Sequence, residues 1–120
     1  MNTFVISIGS NLPDGQQHVE KAIGWLRSIG HSCESSAIYS TPSISGDGTL
    51  YFNAVLRGKF PYGPEALSER CKQYEAACGR IHVKGKPVVI DLDVVMFNSL
   101  ILRPNDASRS YFKLGYNELL

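Results

Sequence analysis

The sequence predicts an α+β domain in which a four-stranded antiparallel sheet carries two helices on one face. Three observations predict it. Four β-branched or aromatic runs alternate with two stretches of helical apolar spacing, in the order strand, helix, strand, strand, helix, strand. The chain has 120 residues without a repeat or low-complexity break, so residues 1–120 are read as one domain. Apolar residues make up 43% and charged residues 19%, enough of the former for one core and too few of the latter for a disordered chain.

Each element has its own warrant. Thr3–Ile8 is a short β-branched and aromatic run stopped by Gly9. Asn11–Asp14 supplies helix-start chemistry, with Pro13 suited to a first turn. Val19, Ala22, Ile23, Leu26 and Ile29 then recur at helical spacing up to Gly30, the expected cap. Ser32–Ser40 is predicted as the second strand, closed by Thr41-Pro42 because a residue before proline prefers extended backbone. Residues 43–49, with two glycines and no periodicity, form a mobile connection. In the third strand, Leu50–Phe60, alternation puts Phe52, Ala54 and Leu56 on one face and Tyr51, Asn53 and Val55 on the other. Gly63-Pro64-Glu65 opens the second helix, which carries Leu67, Cys71, Tyr74 and Cys78 on one stripe and ends at Gly79. Pro87–Phe97 is the fourth strand, and residues 98–120 are weakly patterned. This βαββαβ order is that of a ferredoxin-like fold, which hosts many functions and by itself assigns none.

Composition excludes several classes. A net charge of +1 and a pI of about 7.7 argue against binding nucleic acid through a broad basic surface. No apolar run reaches the roughly 20 residues of a membrane span, and the start MNTFVISIGS has no signal-peptide character. Cys33, Cys71 and Cys78 form no C-x-x-C pair and read as small core residues. His18, His31 and His82 are scattered, so no zinc site is expected. Together these features point to a cytoplasmic protein, with no protein partner named by the sequence.

Three constellations could carry chemistry. In Ile90-Asp91-Leu92-Asp93-Val94, strand alternation turns both aspartates to one face, about 7 Å apart along the strand. Ile90, Leu92, Val94 and Met96 turn to the other. Paired carboxylates suit Mg²⁺, which completes its shell with water and phosphate oxygens; the same pair would also serve as an acidic solvent face. Just before it, Arg80, His82, Lys84 and Lys86 recur at every second position, so an extended segment would set them in a row for a polyphosphate. A solvated basic loop is the other reading. Tyr51 and Asn53 offer an aromatic plane beside an amide, a match for a flat heterocycle or simply a half-exposed strand face. Gly9-Ser10-Asn11-Leu12 lacks the residues of a phosphate-binding loop and reads as turn chemistry.

These residues add up to a resemblance. Ile8-Gly9-Ser10-Asn11-Leu12, Tyr39-Ser40-Thr41-Pro42, Tyr51-Phe52-Asn53-Ala54-Val55, Tyr74-Glu75 with Cys78-Gly79-Arg80, and Ile90-Asp91-Leu92-Asp93 are similar, in order and spacing, to 6-hydroxymethyl-7,8-dihydropterin pyrophosphokinases. The resemblance covers residues 4–97. It implies a ferredoxin-like enzyme of folate biosynthesis that moves pyrophosphate from ATP to the pterin hydroxymethyl group and releases AMP. By the same resemblance Asp91 and Asp93 would bind two Mg²⁺ ions and, with Arg80 and Lys84, carry the transfer. Thr41, Pro42, Ile44, Tyr51, Asn53 and Phe112 would hold the pterin. Glu75, Lys84, Lys86, Val94 and Arg109 would meet the nucleotide. The sequence departs from the family where a tryptophan is missing from the basic stretch, where Val88 replaces an arginine, and where Pro104-Asn105 lacks a histidine. A relative that binds a pterin or nucleotide without turnover is the alternative. A plain interaction domain would leave Tyr51, Asn53, Asp91 and Asp93 around no common cavity.

Overall fold

A computed structural model describes residues 1–120. It is α+β with a wholly antiparallel sheet, but the sheet has six strands rather than four. In chain order the elements are β1 (Asn2–Ser10), α1 (Gly15–Ile29), β2 (His31–Ser35), β3 (Tyr39–Pro42), β4 (Leu50–Phe60), α2 (Pro64–Ala77), β5 (Asp91–Phe97), β6 (Leu100–Ile101), α3 (Pro104–Ala107) and α4 (Ser110–Glu118). The strands lie in the order β2-β4-β1-β5-β6, with β3 also on β4.

One expected strand is two. The stretch expected over Ser32–Ser40 breaks at Ser36, whose Oγ accepts from the Val55 amide at 2.9 Å and donates to the Ala37 carbonyl at 2.9 Å. β2 therefore pairs with the far half of β4, while β3 pairs Tyr39 with Asn53 and Thr41 with Tyr51 at its near half. The fourth strand starts at Asp91, because Val88 instead exchanges hydrogen bonds with Asn11 (Asn11 N to Val88 O 3.0 Å, Val88 N to Asn11 Oδ1 2.8 Å).

Two cores lie on opposite faces of the sheet. α1 and α2 bury Val19, Ala22, Leu26, Leu67 and Cys71 against Phe4, Ile6, Ile8, Ala54, Leu56, Leu92 and Val94. Trp25 and Tyr74 stack between these helices at 4.4 Å. The second face is covered by the weakly patterned C-terminus, where α4 packs Phe112 and Leu119 on Val5, Val55 and Val95. The expectation of helices on one face alone is corrected here. Close approach of α4 to β4 requires Gly115, since a Cβ there would lie 2.6 Å from Val55 Cγ2 and 2.8 Å from Tyr39 Oη. A bulge also corrects the alternation of β5: Val5 opposes Met96 but Ile6 opposes Val94, so Met96 packs with the second core and Phe97 with the first. No helix is long and apolar enough to cross a membrane.

Candidate active site

The second core occupies only half of its sheet face. Along β1, Val5 is followed on the same face by Ser7 and Gly9; along β4, Val55 is preceded by Asn53 and Tyr51; along β5, Val95 is preceded by Asp93 and Asp91. These six residues floor a cavity of about 200 Å³. Thr41 and Pro42 of β3 and Ser43 and Ile44 of the β3–β4 connection wall it, with Tyr111 from α4. Gly9 stands in register between Asn53 and Asp91, so its missing side chain leaves the space between amide and carboxylate open. Asn53 is buried, and its Nδ2 donates to Thr41 Oγ1 at 2.7 Å and to the Tyr51 carbonyl at 3.3 Å. Its Oδ1 faces Gly9, an oriented acceptor on the cavity floor.

The two aspartates differ in their surroundings. Arg80 Nη1 lies 3.3 Å from Asp91 Oδ1 and also donates to the Ile90 carbonyl at 2.9 Å. Asp93 has one ion-pair partner, Arg103, at 3.7 Å. Burial, and then the negative charge of Asp91, push the Asp93 carboxyl up to about 7. Its pKa is raised above the unfolded value of about 3.9, so the stability it contributes is present below about pH 4 and lost as pH rises through about 7. In cation-free buffer, thermal unfolding should therefore show the protein losing stability relative to Asp93→Asn between pH 4 and pH 7. A difference constant across that window would contradict the assignment.

Hard carboxylate oxygens are the donor chemistry of Mg²⁺, which takes one or two of them and fills its shell with water and phosphate oxygens. Asp91 and Asp93 on one cavity floor supply two such carboxylates, the number that ion takes from protein.

A larger open hollow of about 770 Å³ adjoins the cavity and shares Tyr51 with it. Asn11, Leu12, Asp47 and Thr49 line it on one side, Arg80, His82, Lys84 and Lys86 on the other. The basic stretch is not the extended row the sequence predicts. It folds into turns (Val83 N to Ile81 O 3.0 Å, Lys86 N to Val83 O 3.1 Å) with Gly85 at φ +88°, yet its four cationic or titratable groups still reach the same hollow. His82 Nε2 is 3.1 Å from Glu75 Oε1, and Glu75 Oε2 accepts from the Leu92 amide at 2.7 Å, between the two aspartates.

Asp91, Asp93, Thr41, Pro42, Ile44, Tyr51 and Asn53 are thus brought together around the cavity, and Arg80, Lys84 and Lys86 around the hollow. Four expected residues fall elsewhere. Phe112 is 1% exposed in the second core; one residue of helix rotates it by about 100° from Tyr111, which takes the cavity side. Val94 packs under α1 and α2, since alternation turns it away from Asp93. Glu75 is wholly buried beneath the hollow, and exposed Arg109 starts α4 outside both spaces. Tyr111 and Asp106 carry no role in the sequence reading, and Arg103 enters it only as a partial substitute for absent arginines: Asp106 accepts from Tyr111 Oη at 3.0 Å and from Arg103 Nε.

A family model of 7,8-dihydro-6-hydroxymethylpterin-pyrophosphokinase matches residues 5–119. The chain is 31% identical over 104 residues to the folate synthesis bifunctional protein of Chlamydia trachomatis serovar D, covering 80% of this chain and 23% of that protein. It is 27% identical over 107 residues to the folic acid synthesis protein FOL1 of Dictyostelium discoideum, covering 88% of this chain and 16% of that protein. The chain spans less than a quarter of the length of these relatives. With nearly every residue inside the matched span, the chain belongs to the 7,8-dihydro-6-hydroxymethylpterin-pyrophosphokinase family.

Proposed function

We propose that the chain transfers the terminal pyrophosphate of ATP to the hydroxymethyl oxygen of 6-hydroxymethyl-7,8-dihydropterin, in folate biosynthesis. The observation that carries this reading is the shared cavity: an aromatic ring and an oriented amide open directly onto a carboxylate pair. Tyr51 supplies the ring and Asn53 the amide edge for the pterin, while Thr41, Pro42 and Ile44 shape its rim. The second aromatic wall falls to Tyr111 in place of Phe112. Asp91 and Asp93 hold two Mg²⁺ ions, which when bound neutralise phosphate charge and orient the chain of phosphates. Arg80, Lys84 and Lys86 take phosphate oxygens in the adjoining hollow. The hydroxymethyl oxygen forms a bond to the β-phosphorus as the bond from that phosphorus to the α,β-bridging oxygen breaks; the bridging oxygen leaves with AMP and the hydroxyl proton passes to solvent water. Holding the two reactants in one continuous space is the protein's main contribution. The same reading takes β1, β4, β5 and the β2–β3 pair as the four strands of a ferredoxin-like core, with β6 and α4 added.

Calorimetry with the pterin alcohol tests the pocket. Tyr51→Ala and Asn53→Ala are each expected to weaken binding about tenfold, the loss of one stacking surface or one buried hydrogen bond. Unchanged affinity in both would contradict the assignment. Val88, which carries no charge where the family has an arginine, favours a second reading, pterin binding without transfer. Intact binding with no AMP released would establish that one.

A further inference from the structure

Each aspartate of the pair has one arginine, and the two arginines are held very differently. Arg80 is nearly buried, and its guanidinium is fixed by both Asp91 and the Ile90 carbonyl. Its backbone amide is tied to the Glu75 carbonyl at 3.0 Å. Arg103 is half exposed. Its backbone is anchored at the β5 bulge, where the amides of Leu102 and Arg103 both donate to the Val95 carbonyl (2.8 and 3.3 Å). Its guanidinium is hydrogen-bonded to Asp106, which Tyr111 Oη holds in place. Against Asp93 it makes only an ion pair at 3.7 Å, beyond hydrogen-bond reach. Arg103 is therefore fastened to Asp106 and leans on Asp93.

Charge explains why it leans. Asp91, Asp93 and Asp106 meet there, against the guanidinium groups of Arg80 and Arg103. Taking Arg103 away from Asp93 leaves that largely buried carboxylate with no cationic partner, the condition in which a divalent cation gains most.

We propose that Arg103 is a resident counter-ion of the carboxylate pair: it neutralises Asp93 while no metal is bound, and a divalent cation enters by displacing it. The displaced guanidinium keeps its bond to Asp106, whose other partner, Tyr111, lines the cavity. The proposal rests on reading Asp91 and Asp93 as the cation-binding pair. It makes Arg103 a positioning residue, acting on the reaction through the occupancy of that pair.

The test is a Mn²⁺ titration of nucleotide-free protein at pH 8, with free Mn²⁺ read by electron paramagnetic resonance. Arg103→Gln is expected to bind Mn²⁺ about tenfold more tightly than the unaltered chain, as removal of a competing charge at this range predicts. Arg103→Lys keeps the charge and should stay within about threefold of it. Lys59→Gln makes the same charge change at the far end of β4, opposite His31, and should shift affinity less than about twofold. A tightening in Arg103→Gln no larger than in Lys59→Gln, or an equal tightening in Arg103→Lys, overturns the proposal and leaves the cation reading standing. If none of these proteins binds Mn²⁺, with or without ATP, the cation reading fails and the proposal falls with it.

Discussion

Asp93→Ala is expected to lower AMP formation from Mg-ATP and the pterin alcohol on the order of 10³-fold, the scale seen when a principal source of transition-state charge stabilisation is removed. Asp91 and Asp93 share one face of β5 and open into one cavity, so either one alone offers a cation half of the protein's donors. Asp91→Ala should lose as much, because it also frees Arg80 from its side-chain partner. The fold should survive loss of the Asp93 charge: burial and the neighbouring Asp91 hold that carboxyl at about 7, so the folded protein does not depend on its being ionised. Activity in Asp93→Ala within tenfold of the unaltered chain, with an unchanged near-ultraviolet circular dichroism spectrum, would contradict the role.

Glu75→Ala should destabilise the fold by about 3 kcal/mol, the combined cost of an unpaired buried amide and the space left by a large side chain. The carboxylate is wholly buried, with Oε2 on the Leu92 amide and Oε1 toward His82 and half-exposed Lys72. It ties α2 to the strand that carries both aspartates and to the turns that carry the basic groups. Truncation strands the Leu92 N–H between Asp91 and Asp93 and releases His82. Glu75→Gln keeps an acceptor of the same shape and should cost only about 1 kcal/mol, the scale of a single neutral hydrogen bond. Urea unfolding measures both; a loss below about 1 kcal/mol in Glu75→Ala would show that the tie is not structural.

The same contrast explains what could be read from the residues alone. β1, β4, β5, α1 and α2 are legible because each keeps a dense apolar period: Phe4, Ile6 and Ile8 at two, or Val19, Ala22 and Leu26 at three to four. α4 escapes because its inward stripe is only Phe112 and Gly115, with Leu119 at its C-cap, and glycine is a poor helix residue chosen here for contact with Val55. With α4 go Tyr111 and the Asp106–Arg103 pair, a part of the site that no local motif marks. Ser36 breaks the second strand by hydrogen bonds to a neighbour 19 residues away, which no local propensity encodes. Glu75, which the resemblance sets against the nucleotide, could have been read as a buried tie: it follows Cys71 by four residues, on the buried stripe, where an unpaired charge is not tolerated.

The site residues on β4 and β5 were legible for a simpler reason. Strand alternation fixes which face Tyr51, Asn53, Asp91 and Asp93 share, and Gly9 between them marks a floor kept clear.

The most direct measurement follows label from ATP carrying radioactive phosphorus at both the β and γ positions, incubated with Mg²⁺, the chain and the pterin alcohol. The proposed transfer predicts that both labels move together onto the pterin, one AMP appearing for each pterin diphosphate formed, and that Asp91→Ala abolishes the product. Release of ADP with a single label transferred, or no transfer above the Asp91→Ala background, would contradict it.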